Sequence, residues 1–424
     1  MLKLLRFFQV SKPMQLLSMN ILRWWDLSTK YKITLLPEYM LGRFFQLTTL
    51  SLYTSRLATT DEQQFNNIYT HLIEDGFAYL TLDDLQQLAE LILDMLAIKF
   101  EADKRDLCDI YKKGVKREPQ FYRAGVGDGR IFKSLQLTNF NPTQQCNISL
   151  KNDYYTVTTL SFIEAVLEKK VNVVNVSDVP MLLKALFYSY VRGNEKKEGK
   201  VYIDNVSVAL AVAGVLISFT GKVIINEKSY EHFIVPDGSS TSMSASALFY
   251  ELVFRNTYDK LRDLIKNFAD LNGVSLARAF LMAIASQITK IKDRKLDELL
   301  KENIAERYLG VRIATGDRPD ILWIAPITIT DFINTRIKQE IIDMLSSLAS
   351  LIWKSKMEDE VLENLTKVVS TCVNSLTEYY FTNNLDALIE CSRNVVILSG
   401  NEKIDGGIKR LLSKLVIRVR DLAQ

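Results

Sequence analysis

Histidine is nearly missing from this chain: only His71 and His232 occur among 424 residues. Neither has a second ligand at helical or loop spacing, which argues against a histidine-built metal centre and leaves few ways to assemble a Ser-His-Asp triad. The four cysteines, Cys108, Cys146, Cys372 and Cys391, lie far apart with no CxxC pair. That spacing argues against a zinc ribbon and a disulfide framework, so reduced, partly buried thiols in a cytoplasmic protein are expected. Long apolar runs are also scarce. Val206–Thr220 falls short of the roughly 20 residues that a membrane span needs and reads as a fully buried helix. The apolar start, Met1–Trp25, is interrupted by Gln9, Ser11, Lys12 and Pro13 before a signal-peptide core is complete, so a helix or strand entering the fold is expected there. Neither a G-x-S-x-G elbow nor a phosphate-binding G-x-x-x-x-G-K-[S/T] loop is present.

The composition is that of a globular protein, with 48% hydrophobic and 24% charged residues and a net charge of +3. The length suggests two or three domains. The pattern is α+β. A mixed α/β N-terminal part with short strands occupies residues 1–327, and an antiparallel helical bundle occupies residues 328–424. In the first part, β-branched runs at Lys32–Leu36, Tyr154–Thr159, Val171–Val176 and Lys222–Ile225 read as strands. Thr81–Lys99 and Val179–Tyr190 read as helices, the second started by Asp178 and Pro180. Val201–Ile203 reads as a strand. Asn205 is positioned to cap Val206–Phe219, and Gly221 to end it. Lys222–Val235 reads as a hairpin turning at Asn226-Glu227-Lys228.

Farther on, helical periodicity covers Ala245–Leu271, Ser275–Thr289, Lys295–Tyr308, Ile329–Met357, Glu358–Asn383, Leu385–Leu398 and Ile408–Leu422. The strand-like Ile321–Ile327 interrupts it. The acidic pair Asp83-Asp84 and the triplet Glu358-Asp359-Glu360 read as first-turn carboxylates that favour the helix dipole. Gly125–Gly129 lacks dinucleotide-loop spacing and reads as a flexible connection into a strand at Arg130–Leu137.

Two cation-rich segments stand out. Tyr111–Lys133 carries seven cations against two carboxylates and is interleaved with Tyr111, Phe121, Tyr122 and Phe132, with glycines at Gly114, Gly125, Gly127 and Gly129. As a loop, it offers charge for phosphates and rings for stacking on bases. Lys403–Arg420 carries six cations against one carboxylate. On a helix, Arg410, Lys414 and Arg418 recur every four residues as one stripe, with Leu411, Leu412, Leu415 and Val416 turned mostly away. Two basic segments in different domains suggest one extended groove. The plain alternative for each is a solvated charged surface.

The segments GDGRIFKSLQLTNFNP (Gly127–Pro142), VALAVAGVLISFTGK (Val208–Lys222) and KSYEHFIVPDGSS (Lys228–Ser240), between an α/β front and a terminal bundle, resemble the large subunit of the archaeal type I-A CRISPR interference complex, Cascade. The resemblance is specific in the middle third of the chain. It implies a non-catalytic subunit without cofactor or metal that reads the protospacer-adjacent motif and helps to open target DNA. It also implies as partners a guide-RNA ribonucleoprotein, other Cascade subunits including a small helical one, and a separate helicase–nuclease. Charge and loop context, rather than the family, then point to Lys112, Lys113, Lys116 and Arg117 as phosphate neutralisers, with Lys133 a further binding residue, and to Arg123 and Arg130 as reaching base edges with Asn139 and Asn141 as amide readers. Phe121, Tyr122 or Phe132 stacks on an unpaired base. Arg410, Lys414 and Arg418 hold a displaced strand, with Lys409 a further binding residue. The competing readings are a scaffold or interaction protein of an archaeon or its virus, and a small-molecule enzyme with a pocket around His232 and Asp237.

Overall fold

The computed structural model describes residues 30–37, 40–58, 62–74, 76–115, 142–148, 154–170, 176–178, 202–225, 228–236, 278, 307–315, 320–328, 339–354, 359–382 and 384–422. The chain packs as two compact units. One comprises Met1–Phe219, Val235–Arg255 and Thr315–Ile321; the other comprises Thr220–Ile234, Asn256–Ala314 and Leu322–Gln424. The fold is α+β, with a helical C-terminal part.

In the first unit the elements are β1 (Tyr31–Thr34), α1 (Leu41–Ala58), α2 (Glu62–Leu72), β2 (Ile73–Glu74), β3 (Phe77–Leu80), α3 (Leu82–Phe100), α4 (Leu107–Val115), α5 (Pro142–Gln145), α6 (Tyr154–Leu167), β4 (Val176–Asp178), β5 (Tyr202–Asp204) and α7 (Asn205–Ser218). Strands β1, β3 and β2 form one antiparallel sheet, with Tyr31 opposite Leu80 and Ile73 opposite Ala78; β4 pairs antiparallel with β5. Helix α7 is the core element, and every one of its residues is buried. It packs against α1, α6 and α3.

An all-apolar helix still needs its ends satisfied. At the N-terminus the cap is Asp204, not Asn205, which is the first helical residue. The Asp204 carboxylate accepts from Ser207 N at 2.6 Å and from Thr34 N at 2.9 Å. Burial raises its pKa, against the pull of those hydrogen bonds. Gln46 on α1 completes the network: its Nε2 donates to Ser207 O at 2.9 Å, and its Oε1 accepts from Leu36 N at 2.8 Å. At the C-terminus the helix stops at Ser218 and Gly221 already lies in a strand, so the expected glycine stop is absent. Lys99 takes that role. Its buried Nζ donates to the carbonyls of Leu216, Ile217 (3.1 Å) and Phe219 (2.7 Å), placing a hydrogen-bond donor at the negative end of the helix dipole. Burial holds its pKa well below that of an ordinary lysine.

The β-branched run Tyr154–Thr159, expected as a strand, is the first half of α6. Tyr155–Ile163 is buried throughout, so packing on α3 and α7 outweighs local strand preference. Helix α3 starts as expected. Thr81 is its N-cap, and Asp84 closes a capping box, with Thr81 N donating to Asp84 Oδ2 at 2.8 Å.

Save for end residues of the strands, it is in the second unit that β6 (Phe219–Ile225), β7 (Lys228–Pro236), β8 (Arg307–Thr315) and β9 (Asp320–Thr328) form a sheet in that order. The hairpin and the Ile321–Ile327 strand are legible in the sequence. β8 is not: Arg307 and Tyr308, expected to end a helix, begin this strand. Among the described residues four helices follow: α8 (Gln339–Lys354), α9 (Asp359–Thr382), α10 (Leu385–Ser399) and α11 (Gly406–Arg420). Each packs on the next, and α11 closes the ring on α8. Short connections after α9 and α10 make these neighbours antiparallel.

All four cysteines are paired, as Cys108–Cys146 and Cys372–Cys391. The expectation of reduced thiols is therefore wrong. Spacing alone does not reveal pairs separated by 38 and 19 residues, because the fold brings them together. The helices expected at Val179–Tyr190, Ala245–Leu271 and Ser275–Thr289, the strands expected over residues 171–175 and at Arg130–Leu137, and residues 1–29 lie outside the described residues, save that Arg278 is helical.

Candidate nucleic-acid interface

Of the first cation-rich segment, Tyr111–Val115 is described, and it is helix rather than loop. It forms the last turn and a half of α4. The helix buries Ile110, Tyr111 and Gly114. Tyr111 is therefore a core residue, unavailable for stacking on a base. Gly114 is a packing glycine: a Cβ there would lie 3.0 Å from Thr156 Oγ1 and 3.2 Å from the Phe100 ring. The opposite face presents Lys112 and Lys113 to solvent. Lys113 is engaged, donating to Glu101 O at 2.6 Å and pairing with Asp109 at 2.9 Å. Among the described residues Lys112 makes no ion pair. Lys116, Arg117, Phe121, Tyr122, Arg123, Arg130, Lys133, Asn139 and Asn141 lie outside the described residues.

The second segment is described in full. Asp405 is the N-cap of α11, its carboxylate accepting from Gly407 N at 2.6 Å. Ile408, Leu412, Leu415 and Val419 recur at intervals of three and four and are buried in the bundle. Leu411 and Val416, expected to face inward, flank that stripe and stay partly exposed. At about 100° per residue, Arg410, Lys414 and Arg418 fall on one outer flank of the helix. They rise about 6 Å per step. Lys409 and Arg420 fall on the other flank. Arg410 and Lys414 are exposed; Lys409 and Arg418 are half-buried. Arg418 pairs with Asp421 at 3.6 Å, and Lys403, before the helix, pairs with Glu360 of α9 at 3.2 Å.

Electrostatics separates these cations. Arg418 and Arg420 occupy the last turn, where positive charge complements the helix dipole, so folding alone explains them. Lys409 and Arg410 sit near the start of the helix, whose first turn holds no acid. Positive charge there opposes the dipole, and only the Asp405 cap offsets it. None of Lys409, Arg410 and Lys414 makes an ion pair among the described residues. Arg410 and Lys414 thus place two cations without an ion pair among the described residues on one flank of α11, and Lys409 stands on the other.

His232, expected as a groove or pocket residue, is buried on β7. Its pKa is lowered to about 3, chiefly by burial and then by Arg312, against a hydrogen bond with the Gly221 backbone. Arg312 on β8 lies 4.4 Å from the centre of the Tyr230 ring. The sequence pattern does not reveal this buried cluster, because β8 is not recognisable in it. Asp237 lies outside the described residues. His71 lies on α2. Among the described residues no cluster of three His, Cys, Asp or Glu suits a metal ion, and no helix is long and apolar enough to cross a membrane.

No known protein family matches the chain, and a search of curated proteins finds no relative.

Proposed function

We propose that the chain is a non-catalytic nucleic-acid-binding subunit of a CRISPR interference (Cascade) complex, recognising the protospacer-adjacent motif and helping to open target DNA in antiviral defence. The observation that carries the binding part is the α11 flank, where Arg410 and Lys414 are exposed and make no ion pair among the described residues, beside Arg418. Such a row neutralises backbone phosphates and carries no sequence information. Motif reading falls to Arg123 and Arg130, with Asn139 and Asn141, in the cation-rich segment that begins on α4. Sequence is read by the guide, while the protein reads the motif and the backbone. The partners are target DNA, the guide-RNA ribonucleoprotein, the small helical subunit and the helicase–nuclease. The location is cytoplasmic. Two disulfides agree with that location only in a disulfide-tolerant cytoplasm such as that of hyperthermophilic archaea.

The discriminating experiment compares motif-bearing and motif-less duplexes of equal length. Arg123→Ala with Arg130→Ala lowers affinity for the first at least tenfold more than for the second. Equal losses on both duplexes remove their role in base reading.

A second reading, a scaffold or interaction protein without nucleic acid, is favoured by one observation. On α10, Leu385, Ile389 and Val396 lie along one flank, 47%, 55% and 54% exposed, and Ile397 is 67% exposed. Exposed apolar residues grouped in this way mark protein contact surfaces. This reading is upheld if Ile389→Glu with Val396→Glu abolishes a protein complex while the α11 cations prove dispensable.

A further inference from the structure

The two disulfides differ in placement. Cys372 and Cys391 are both fully buried between α9 and α10. Cys108 is only half-buried, in the first turn of α4, and its bond reaches Cys146 just after α5. This bond closes a ring of chain that contains Lys112 and Lys113 and, in the sequence, the rest of the first cation-rich segment. The two ends of the ring are held unequally. α4 is seated by Ile110, Tyr111 and Gly114 against α3 and α6. α5 is a single turn, and Gln144, Gln145 and Asn147 around Cys146 are exposed. One turn does not sustain itself in water, because nucleation costs more than so few hydrogen bonds return. The Cys108–Cys146 bond ties this turn covalently to the start of α4.

We propose that Cys108–Cys146 is a redox-sensitive latch: a dithiol reductant opens it while Cys372–Cys391 stays closed, releasing the α5 end of the cation-bearing ring and weakening its hold on nucleic acid. The last consequence rests on the function proposed above; the first two do not. The chemistry is ordinary thiol–disulfide exchange. A reductant thiolate attacks Sγ of Cys108, the less buried of the two cysteines, forming a mixed disulfide and expelling the Cys146 thiolate, which takes a proton. The reductant's second thiolate then attacks its own sulfur in that bond and expels the Cys108 thiolate, which is likewise protonated. Two electrons pass from the dithiol, now a cyclic disulfide, to the two cysteines. Access governs the first attack, so the buried pair reacts only when its helices separate.

The test titrates the native full-length chain with dithiothreitol, alkylates freed thiols and locates them by mass spectrometry. Cys108 and Cys146 are expected to label at reductant concentrations at least tenfold below those needed for Cys372 and Cys391. At the lower concentration, backbone amides of residues 142–148 exchange at least tenfold faster, while those of α3 and α4 are unchanged. Affinity for a labelled duplex oligonucleotide falls at least threefold, and the Cys108→Ser/Cys146→Ser variant shows the same loss without reductant. The latch is overturned if both pairs open together, if residues 142–148 exchange no faster, or if reduction leaves an existing duplex affinity unchanged. If the oxidised protein binds no duplex, the proposed function is wrong. Labelling order and exchange then uphold or overturn the latch by themselves.

Discussion

Gly214 shows how closely the first unit is built. A Cβ at this position would lie 2.0 Å from the carbonyl oxygen of Phe45, so the α1 and α7 backbones meet there. A backbone atom cannot rotate away as a side chain can. Gly214→Ala is therefore expected to destabilise the protein at the upper end of the ~1–3 kcal/mol range for overpacked cores, read as a lower urea midpoint with an unchanged slope. An unshifted midpoint would mean that the helices part without cost. His232 carries a second residue-scale expectation. Its folded pKa of about 3 lies below the ordinary 6.5, so burial keeps it neutral. The contribution of that neutral state is complete above pH 6.5 and is lost as pH falls toward 3, because the unfolded chain takes up a proton that the folded chain refuses. The slope from this one group is at most ~1.4 kcal/mol per pH unit. Between about pH 7 and 5 the unfolding midpoint of the wild type should fall more than that of His232→Gln. Parallel profiles would show that His232 takes up its proton equally in both states.

Elements are legible where local chemistry and packing agree. The capping box at Thr81 and Asp84, the apolar run of α7 and the periodicity of α9, α10 and α11 all point to the helices that form. They mislead where packing decides. α6 reads as a strand because its Thr and Val residues are β-branched, yet its burial on all sides permits a helix. The start of β8 reads as the end of a helix because Arg307 and Tyr308 continue an apparent helical period. At the site, the spacing of four in Arg410, Lys414 and Arg418 needs only helix geometry to be found. Tyr111 and Gly114 are hidden because basic neighbours make a short amphipathic helix resemble a loop. The Cys372–Cys391 pair joins α9 to α10 over 19 residues. A cross-link of that span contributes ~3 kcal/mol in the chain-entropy account. Cys372→Ser with Cys391→Ser should lower unfolding stability by about that amount under oxidising conditions, with far-UV helicity retained. No loss would mean that the bond adds nothing to a bundle already closed by its core.

At the scale of the whole molecule, the net charge of +3 hides local excesses such as the six cations against one carboxylate in Lys403–Arg420. The helix dipole favours cations in the last turn of α11 and opposes one in the first, where Lys409 sits. The central claim is that this flank meets a nucleic-acid backbone. It is tested most directly by measuring how duplex affinity depends on salt for the wild type and for Arg410→Glu/Lys414→Glu/Arg418→Glu. Each lost phosphate contact removes ~0.9 from the slope of log affinity against log salt. The triple variant is therefore expected to bind more weakly and to show a slope shallower by roughly 2 to 3. An unchanged slope with an intact bundle would contradict the account and leave the α11 flank as solvated surface.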